Sequence, residues 1–426
     1  MKVISILVMM LLMNNKHLLP STVLALTTFV SKMNFADTQW VSYMIINDSV
    51  SFWVITLSLW IIMLISMIKT TNLNLQAKTS SSMMLTLLLV FSVWNFFSFF
   101  ILFEMSMLVI VVMVMVWGYQ PERIEAILFM IFTTTAFSLP FFVSLLKNFN
   151  HTNFWFMNIN MFMWDYLSFM FIFMVKLPVY FIHIWLPKIH VEAPVQGSMI
   201  LASIMLKLGC YGLIRMTPMS FKINTQWQST ILAFSLWTTL ILSMISAIQV
   251  DMKSLIAYSS VVHMTTAFMS ITLAKTKSLV ASIMMMVGHG LCSSALFFTC
   301  NILYKYSKSR STLINKGILT NSPAVALLWF ILCMSNAPMP PSINIMGEIL
   351  TFKSVMNWSI ETIPLLSMVM FASSYFSIVL FYTPAHSKFS NNLKTPMLTT
   401  TKSLLIIWLH TAPLIMLIIK ASTMEM

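Results

Sequence analysis

The stretch MVKLPVYFIHIWLPKIHVEAPVQGSMILASIMLKLGCYGLIRM, residues 174–216, holds two lysines, Lys176 and Lys207, 31 residues apart. Each lies in an apolar run long enough to cross a bilayer, and Glu104 occupies a third such run upstream. On insertion scales a charged side chain at the centre of a membrane helix costs roughly 2.5 to 3.5 kcal/mol, so intramembrane ionisable groups point to function.

Working outward, 426 residues that are 59% hydrophobic and 8% charged, with a mean hydropathy of +0.88, fall outside soluble globular composition. The chain reads as an all-α polytopic membrane protein. A helix needs about 20 mostly apolar residues to span the hydrocarbon core, and the pattern yields about 13 to 14 of them. Expected spans are 2–14, 18–32, 48–68, 82–99, 100–117, 124–146, 163–186, 196–217, 229–250, 254–273, 278–303, 323–350, 361–383 and 402–420. The polar segments 69–80, 147–160, 305–320 and 385–400 read as connections, not domain linkers.

A formal charge of +13 raises the question of nucleic acid, but the basic residues lie mostly singly in short connections, such as Lys69 and Lys78, Lys275 and Lys277, or Lys388 and Lys394. Positive flanks of membrane helices account for them better. The densest cluster, Lys305, Lys308, Arg310 and Lys316, fits a loop on the positive side, while the remaining loop charges alternate too weakly to orient the chain. Cys210, Cys292, Cys300 and Cys333 show no CxxC spacing, fall in apolar spans and read as small buried hydrophobes, with no visible iron–sulfur, haem or zinc site. The N-terminal MKVISILVMMLLMNNKH has neither a small-residue cleavage site nor an Arg-rich presequence, so no removable segment is expected. Forty-one methionines beside eight glycines hint at an AT-rich organelle genome that reads an extra codon as Met.

Five of those eight glycines, Gly209, Gly212, Gly288, Gly290 and Gly347, lie within five residues of Lys207, His289 or Glu348. Proline behaves similarly: Pro178 follows Lys176 by two residues, and Pro338, Pro340 and Pro341 precede Glu348. Proline inside a helix removes a backbone hydrogen bond and clashes with the preceding turn, so both spans are expected to be broken. Broken spans in corresponding positions of two halves point to a transport site near the midplane.

Four further stretches complete the pattern: QVDMKSLIAYSSVVHM (249–264), VGHGLCSSALFFTCNILY (287–304), NAPMPPSINIMGE (336–348) and WGYQPERIEA (117–126). Together with 174–216, over roughly residues 95–350, the chain resembles the chain 4 family of the mitochondrial NADH:ubiquinone oxidoreductase, an antiporter-like, proton-pumping subunit of respiratory complex I. The resemblance implies 14 helices in an antiporter-like fold, with two inverted five-helix repeats and broken helices near Pro178 and Pro340. It divides the chain into N-terminal helices (1–80), a first repeat (81–217), a second repeat (218–385) and a C-terminal loop and last helix (386–426). It matches Glu104, Lys176, Lys207 and Glu348 to the family's intramembrane charges and places His263 and His289 on a hydrated path between lysine and exit. Sibling pump subunits usually carry lysine where Glu348 stands, which favours chain 4. Cys210 and Val262 depart from the family's usual glycine and serine, affecting local packing.

The side-chain chemistry is compatible with this. Apolar burial favours the neutral form of a lysine and a nearby carboxylate favours the charged form, so moving one charge toggles such a pair. Glu104 and Lys176 are expected to form it, with Lys207 relaying the proton and Glu348 passing it to one side. Against this stand structural readings: ion pairs locking helices for Glu104 or Lys207, snorkelling for Lys176, and capping of freed backbone donors for Glu348. For His263 and His289, a neutral buried ring bonded to a carbonyl is as good a reading as a titrating one. His183, His190 and Glu192 form a loose ligand-like set, but Pro187 intervenes and a helix connection is the better reading. Asp251, beside Lys253, is expected to cap the following helix. Glu122, Arg123 and Glu125 belong to a loop that is solvated or meets a neighbouring subunit, and the Met and Phe stripes are lipid-facing and packing surface.

No nucleotide loop or cluster-ligand pattern occurs, so no cofactor is expected on this chain; NADH, FMN, iron–sulfur clusters and ubiquinone are expected on other subunits. The implied partners are other membrane-arm subunits of complex I, including sibling antiporter-like ones, and the lipid bilayer, with no nucleic acid, in the mitochondrial inner membrane. A cation/proton antiporter would use the same lysines and broken helices. A purely structural scaffold would have little reason to bury these charges.

Overall fold

The computed structural model describes residues 22–23, 25–27, 39–42, 45–68, 73–118, 120–147, 162–386, 400–419 and 421. Expected span 2–14 and most of 18–32 lie outside the described residues, as do most of the connections 147–160 and 385–400. A short antiparallel hairpin, β1 (Gln39–Ser42) and β2 (Ile45–Asn47), lies just before residue 49 in an otherwise helical fold. Among the described residues the helices of eight or more residues are α1 (Ser49–Ser66), α2 (Leu73–Ser92), α3 (Phe96–Trp117), α4 (Arg123–Lys147), α5 (Met163–Lys176), α6 (Trp185–Glu192), α7 (Val195–Ile248), α8 (Met252–Thr272), α9 (Thr276–Ser307), α10 (Pro323–Asn336), α11 (Ile343–Met356), α12 (Ile363–His386) and α13 (Thr401–Met416).

Among the described residues, seven helical runs are long and apolar enough to cross a membrane: α1, α3, α4, α7, α8, α9 and Ile360–His386. This is fewer than the expected number for physical reasons. The span around Pro178 and the span around Pro338–Pro341 are both broken, into α5 with α6 and α10 with α11, and each piece has at most 14 residues. The first half of α2, LNLQAKTSSS, is polar.

Two expected boundaries are corrected. The break expected between 99 and 100 falls at Val93–Asn95, where Asn95 takes the N-cap position and Phe99 N–H donates to its carbonyl at 2.9 Å. The expected spans 196–217 and 229–250 form one continuous helix, α7. Pro218 cannot supply the N–H that the Ile214 carbonyl would normally accept, but the Thr217 hydroxyl donates to that carbonyl at 2.8 Å. Side-chain replacement of this kind lets a membrane helix run through proline.

The helices group into two compact units, residues 1–176 with 192–225, and residues 177–191 with 226–425. The first has an aromatic interior: Phe169 packs on Phe141 with ring centroids 4.6 Å apart and on Phe96 at 5.6 Å, and Phe173 meets Phe99 and Phe103. In the second, α8 and α9 are enclosed on nearly all sides, and Leu232, Leu236, Met269, Leu273, Val355 and Leu366 form a buried cluster. Outward faces are strongly apolar, as at Phe132, Leu139 and Val143 on α4 and Phe371 on α12, which suits contact with lipid chains.

Candidate functional site

In the first unit, α5 ends at Lys176 because Leu177 and Pro178 leave the helical path. Within the break, before α6, Phe181 adopts a φ of 75°, a strained conformation for an aromatic residue. Lys176 is buried, and its Nζ lies 4.5 Å from the centroid of the Phe103 ring on α3. Glu104, the next residue, interacts electrostatically with Lys176, yet neither Lys176 Nζ nor Glu104 Oε1 has a hydrogen-bond partner among the described residues. Lys176 thus rests on a cation–π contact and is coupled to Glu104 through space. The approach of α7 to α5 depends on Gly212: a Cβ there would lie 2.1 Å from the Phe173 ring, one turn before Lys176.

Lys207 is fully buried and donates from Nζ to the Ala202 carbonyl at 2.7 Å. The helix is π-wound over Leu201–Met205, a geometry that takes carbonyls off their usual register and recurs at functional sites. Nothing in the local sequence signals this turn.

One face of α7 continues from Lys207 through Tyr211 to Arg215, at four-residue steps. Tyr211 donates its hydroxyl to the Phe91 carbonyl of α2 at 2.9 Å. Arg215 binds both carboxylate oxygens of Asp48, with Nη2 to Oδ1 at 2.7 Å, and donates to the Tyr211 hydroxyl at 3.0 Å. Asp48 and Ser51 form a capping box at the start of α1. Burial pushes the Asp48 carboxyl up, but the Arg215 guanidinium more than offsets this and holds it below the usual carboxylate range. This ion pair was not anticipated. The D-x-x-S pattern at 48–51 signals the cap, but no local feature names Arg215 as its partner. Asp165, buried at the start of α5 and 3.9 Å from Lys147, was missed as well.

In the second unit, His263 Nδ1 on α8 lies 2.9 Å from Glu348 Oε1 on α11, both side chains 3% exposed. The His289 ring on α9 is 5.7 Å from that of His263, centroid to centroid. His263 Nε2 is buried without a hydrogen-bond partner among the described residues. The break between α10 and α11 is bridged by Asn344, whose amide donates to the Ser335 carbonyl at 2.9 Å. A Cβ on Gly288 would fall 2.0 Å from Asn344 Oδ1, so the missing side chain lets α9 and α11 approach closely beside His289 and Glu348. Glu348 contacts an imidazole, a partner absent from its backbone-capping reading.

The structure therefore groups Glu104, Lys176 and Lys207 in one unit and His263, His289 and Glu348 in the other. The remaining candidates have local roles. His183 stacks on Tyr180, and His190 lies flat against Phe297 at 4.6 Å. All four cysteines are buried and free. Arg123 donates to the Gly118 carbonyl at the end of α3, while Glu122 and Glu125 are exposed. Asp251 occupies the N-cap position of α8 but, contrary to expectation, makes no side-chain cap bond. The backbone there is engaged differently: Met252 N–H donates to Arg310 and Thr312 N–H donates to Val250, pairing residues 250–252 with 310–312.

Residues 92–377 match the family described as NADH:quinone oxidoreductase/Mrp antiporter, transmembrane. The chain is 38% identical to NADH-ubiquinone oxidoreductase chain 4 of Ceratitis capitata, over 91% of this chain and 90% of that one. It is 40% identical to the chain 4 protein of Aedes aegypti over 76% and 74%, and 36% identical to that of Locusta migratoria over 92% and 90%. Its fold is similar to a chain in the solved structure of respiratory complex I from Thermus thermophilus with bound NADH, with a TM-score of 0.88 at 17% identity, covering 97% of this chain and 94% of that one. Fold, buried charges and relatives agree: the chain belongs to the NADH:quinone oxidoreductase/Mrp antiporter transmembrane family, with the proteins named NADH-ubiquinone oxidoreductase chain 4.

Proposed function

We propose that this chain is a core membrane-arm subunit of proton-translocating NADH:ubiquinone oxidoreductase, moving protons through buried titratable groups while electrons pass elsewhere in the complex. The observation that carries the reading is Lys176: a buried ammonium rests over an aromatic ring, with its carboxylate counter-charge, Glu104, nearby but not hydrogen-bonded to it. A locked ion pair is a structural device. A pair held apart responds to any charge or water that enters between its members.

In this reading Glu104 and Lys176 form the switch, Lys207 relays, and His263, His289 and Glu348 carry the proton toward one side. Histidine suits an intermediate step because both ring nitrogens exchange protons near neutral pH. The His263–Glu348 contact supplies such a transfer distance. The helix layout is read as 14 spans in two inverted repeats, 81–217 and 218–385, flanked by 1–80 and 386–426. NADH, FMN, iron–sulfur clusters and ubiquinone are assigned to other subunits, and the site of action to the mitochondrial inner membrane, beside sibling antiporter-like subunits.

Affinity purification through this chain from native membranes tests the assignment. Co-purifying flavin and iron–sulfur signals, with NADH-driven proton uptake or release after reconstitution into vesicles, is the expected result. A sodium- or potassium-dependent pH gradient with no flavin or cluster would instead establish a cation/proton antiporter.

A further inference from the structure

Lys253 occupies the first turn of α8 and is 3% exposed. On its own helix this is a poor place for a cation, because the first turn of a helix carries the positive end of the macrodipole. Its partner reverses the sign. Lys253 Nζ lies 3.3 Å from the Val191 carbonyl, in the last turn of α6, where the macrodipole is negative and the final carbonyls lack intrahelical partners. Burying a lysine at the wrong end of its own helix is intelligible if its task is to terminate another.

The helix it reaches needs such a contact. With eight residues, α6 is too short to persist by its own hydrogen bonds, and it follows directly on the strained break that contains Phe181. α6 is also the far half of the broken span that begins at α5, whereas α8 carries His263 ten residues beyond Lys253. The carboxylate of Asp251, at the N-cap two residues before Lys253, is the acidic group next to it along the chain.

We propose that Lys253 is a positioning residue of the pump, a clamp that fixes the C-terminal end of α6 onto α8 through the Val191 carbonyl. Its role is to hold the half-helix beyond the break in register with the helix that bears His263, and not to exchange protons. The consequence for pumping rests on the function proposed above; the anchoring itself does not.

The test compares Lys253→Met and Lys253→Arg in the assembled complex, by backbone hydrogen exchange over residues 177–191 and by protons translocated per NADH oxidised. Lys253→Met should speed exchange there by about tenfold or more, as expected for losing a hydrogen bond to a charged group, and should lower the proton yield. Lys253→Arg should restore both, since arginine keeps charge and donor but does not deprotonate. If Lys253→Met fails to assemble, Lys253→Gln takes its place, with the same expectations. Unchanged exchange in the neutral variant overturns the clamp. So does an assembled Lys253→Arg complex with normal exchange but no pumping, because that pattern means the lysine itself carries protons. Absence of NADH-linked pumping in the wild-type complex would refute the functional reading and leave the exchange result to judge the clamp alone.

Discussion

The two units hold their buried charges in opposite ways. In the first, Lys176 sits over the Phe103 ring and Glu104 stays out of hydrogen-bond contact, while Lys207 is bound by the Ala202 carbonyl of its own π-wound turn. In the second, His263 and Glu348 touch directly at 2.9 Å with the His289 ring alongside. The first arrangement is electrostatically open: its charges are coupled through space and can be rebalanced by one more charge. The second is closed: acid and base meet directly at hydrogen-bond distance, buried between α8 and α11. A switch that loads and a pair that stores would differ in this way.

The largest effect is expected at the open site. Glu104→Gln removes the counter-charge of Lys176 without changing volume, and should abolish NADH-driven proton translocation in an assembled complex; full translocation would remove Glu104 from the mechanism. At the closed site, Glu348→Gln should cost less. Glutamine keeps an oxygen for the His263 contact but loses the charge, so proton translocation should fall only in part. Glu348→Leu, which removes both, should fall to the Glu104→Gln level. Equal losses for Gln and Leu would show that charge, not contact, matters in the second unit.

Stability separates the regions again. Asp48→Asn leaves Arg215 buried beside a neutral partner and should destabilise the first unit by about 3–5 kcal/mol, read as a lower unfolding temperature of the complex. Because the Asp48 carboxyl is held below its usual range, its contribution is present above the ordinary carboxylate pKa and is lost as pH falls through the depressed value. An acid-stability profile of the wild type should therefore show a transition that Asp48→Asn lacks. Gly212→Ala, which drives a methyl into Phe173, and Gly288→Ala, which drives one into Asn344, should each cost about 1–3 kcal/mol. The first should disturb Lys176 and the second the His263–Glu348 pair, each visible as a selective loss of pumping.

Much of this was legible in the chain. Apolar run length placed most described helices, and proline beside Lys176 and before Glu348 marked both broken spans. Rare glycines clustered beside the ionisable residues, and the structure shows that Gly212 and Gly288 among them serve close helix approaches. What stayed hidden has a common cause. The bridging hydroxyl of Thr217 that carries α7 through Pro218, the π-wound turn under Lys207 and the Asp48–Arg215 pair depend on backbone geometry or on partners 167 residues apart. Periodicity and local propensity carry no record of either. The restart of α3 at Phe96 was missed because FFSFF reads equally well as the end of one apolar run or the start of the next.

A high-resolution density map of the assembled complex shows whether Glu104, Lys176 and His263, whose buried polar atoms Glu104 Oε1, Lys176 Nζ and His263 Nε2 have no hydrogen-bond partner among the described residues, work as hydrated proton carriers. Buried polar atoms are almost always satisfied, so ordered water should bridge the Glu104 carboxylate to the Lys176 ammonium and bind His263 Nε2. Finding those atoms dry, or satisfied by neighbouring protein groups that lock them in place, would contradict the account.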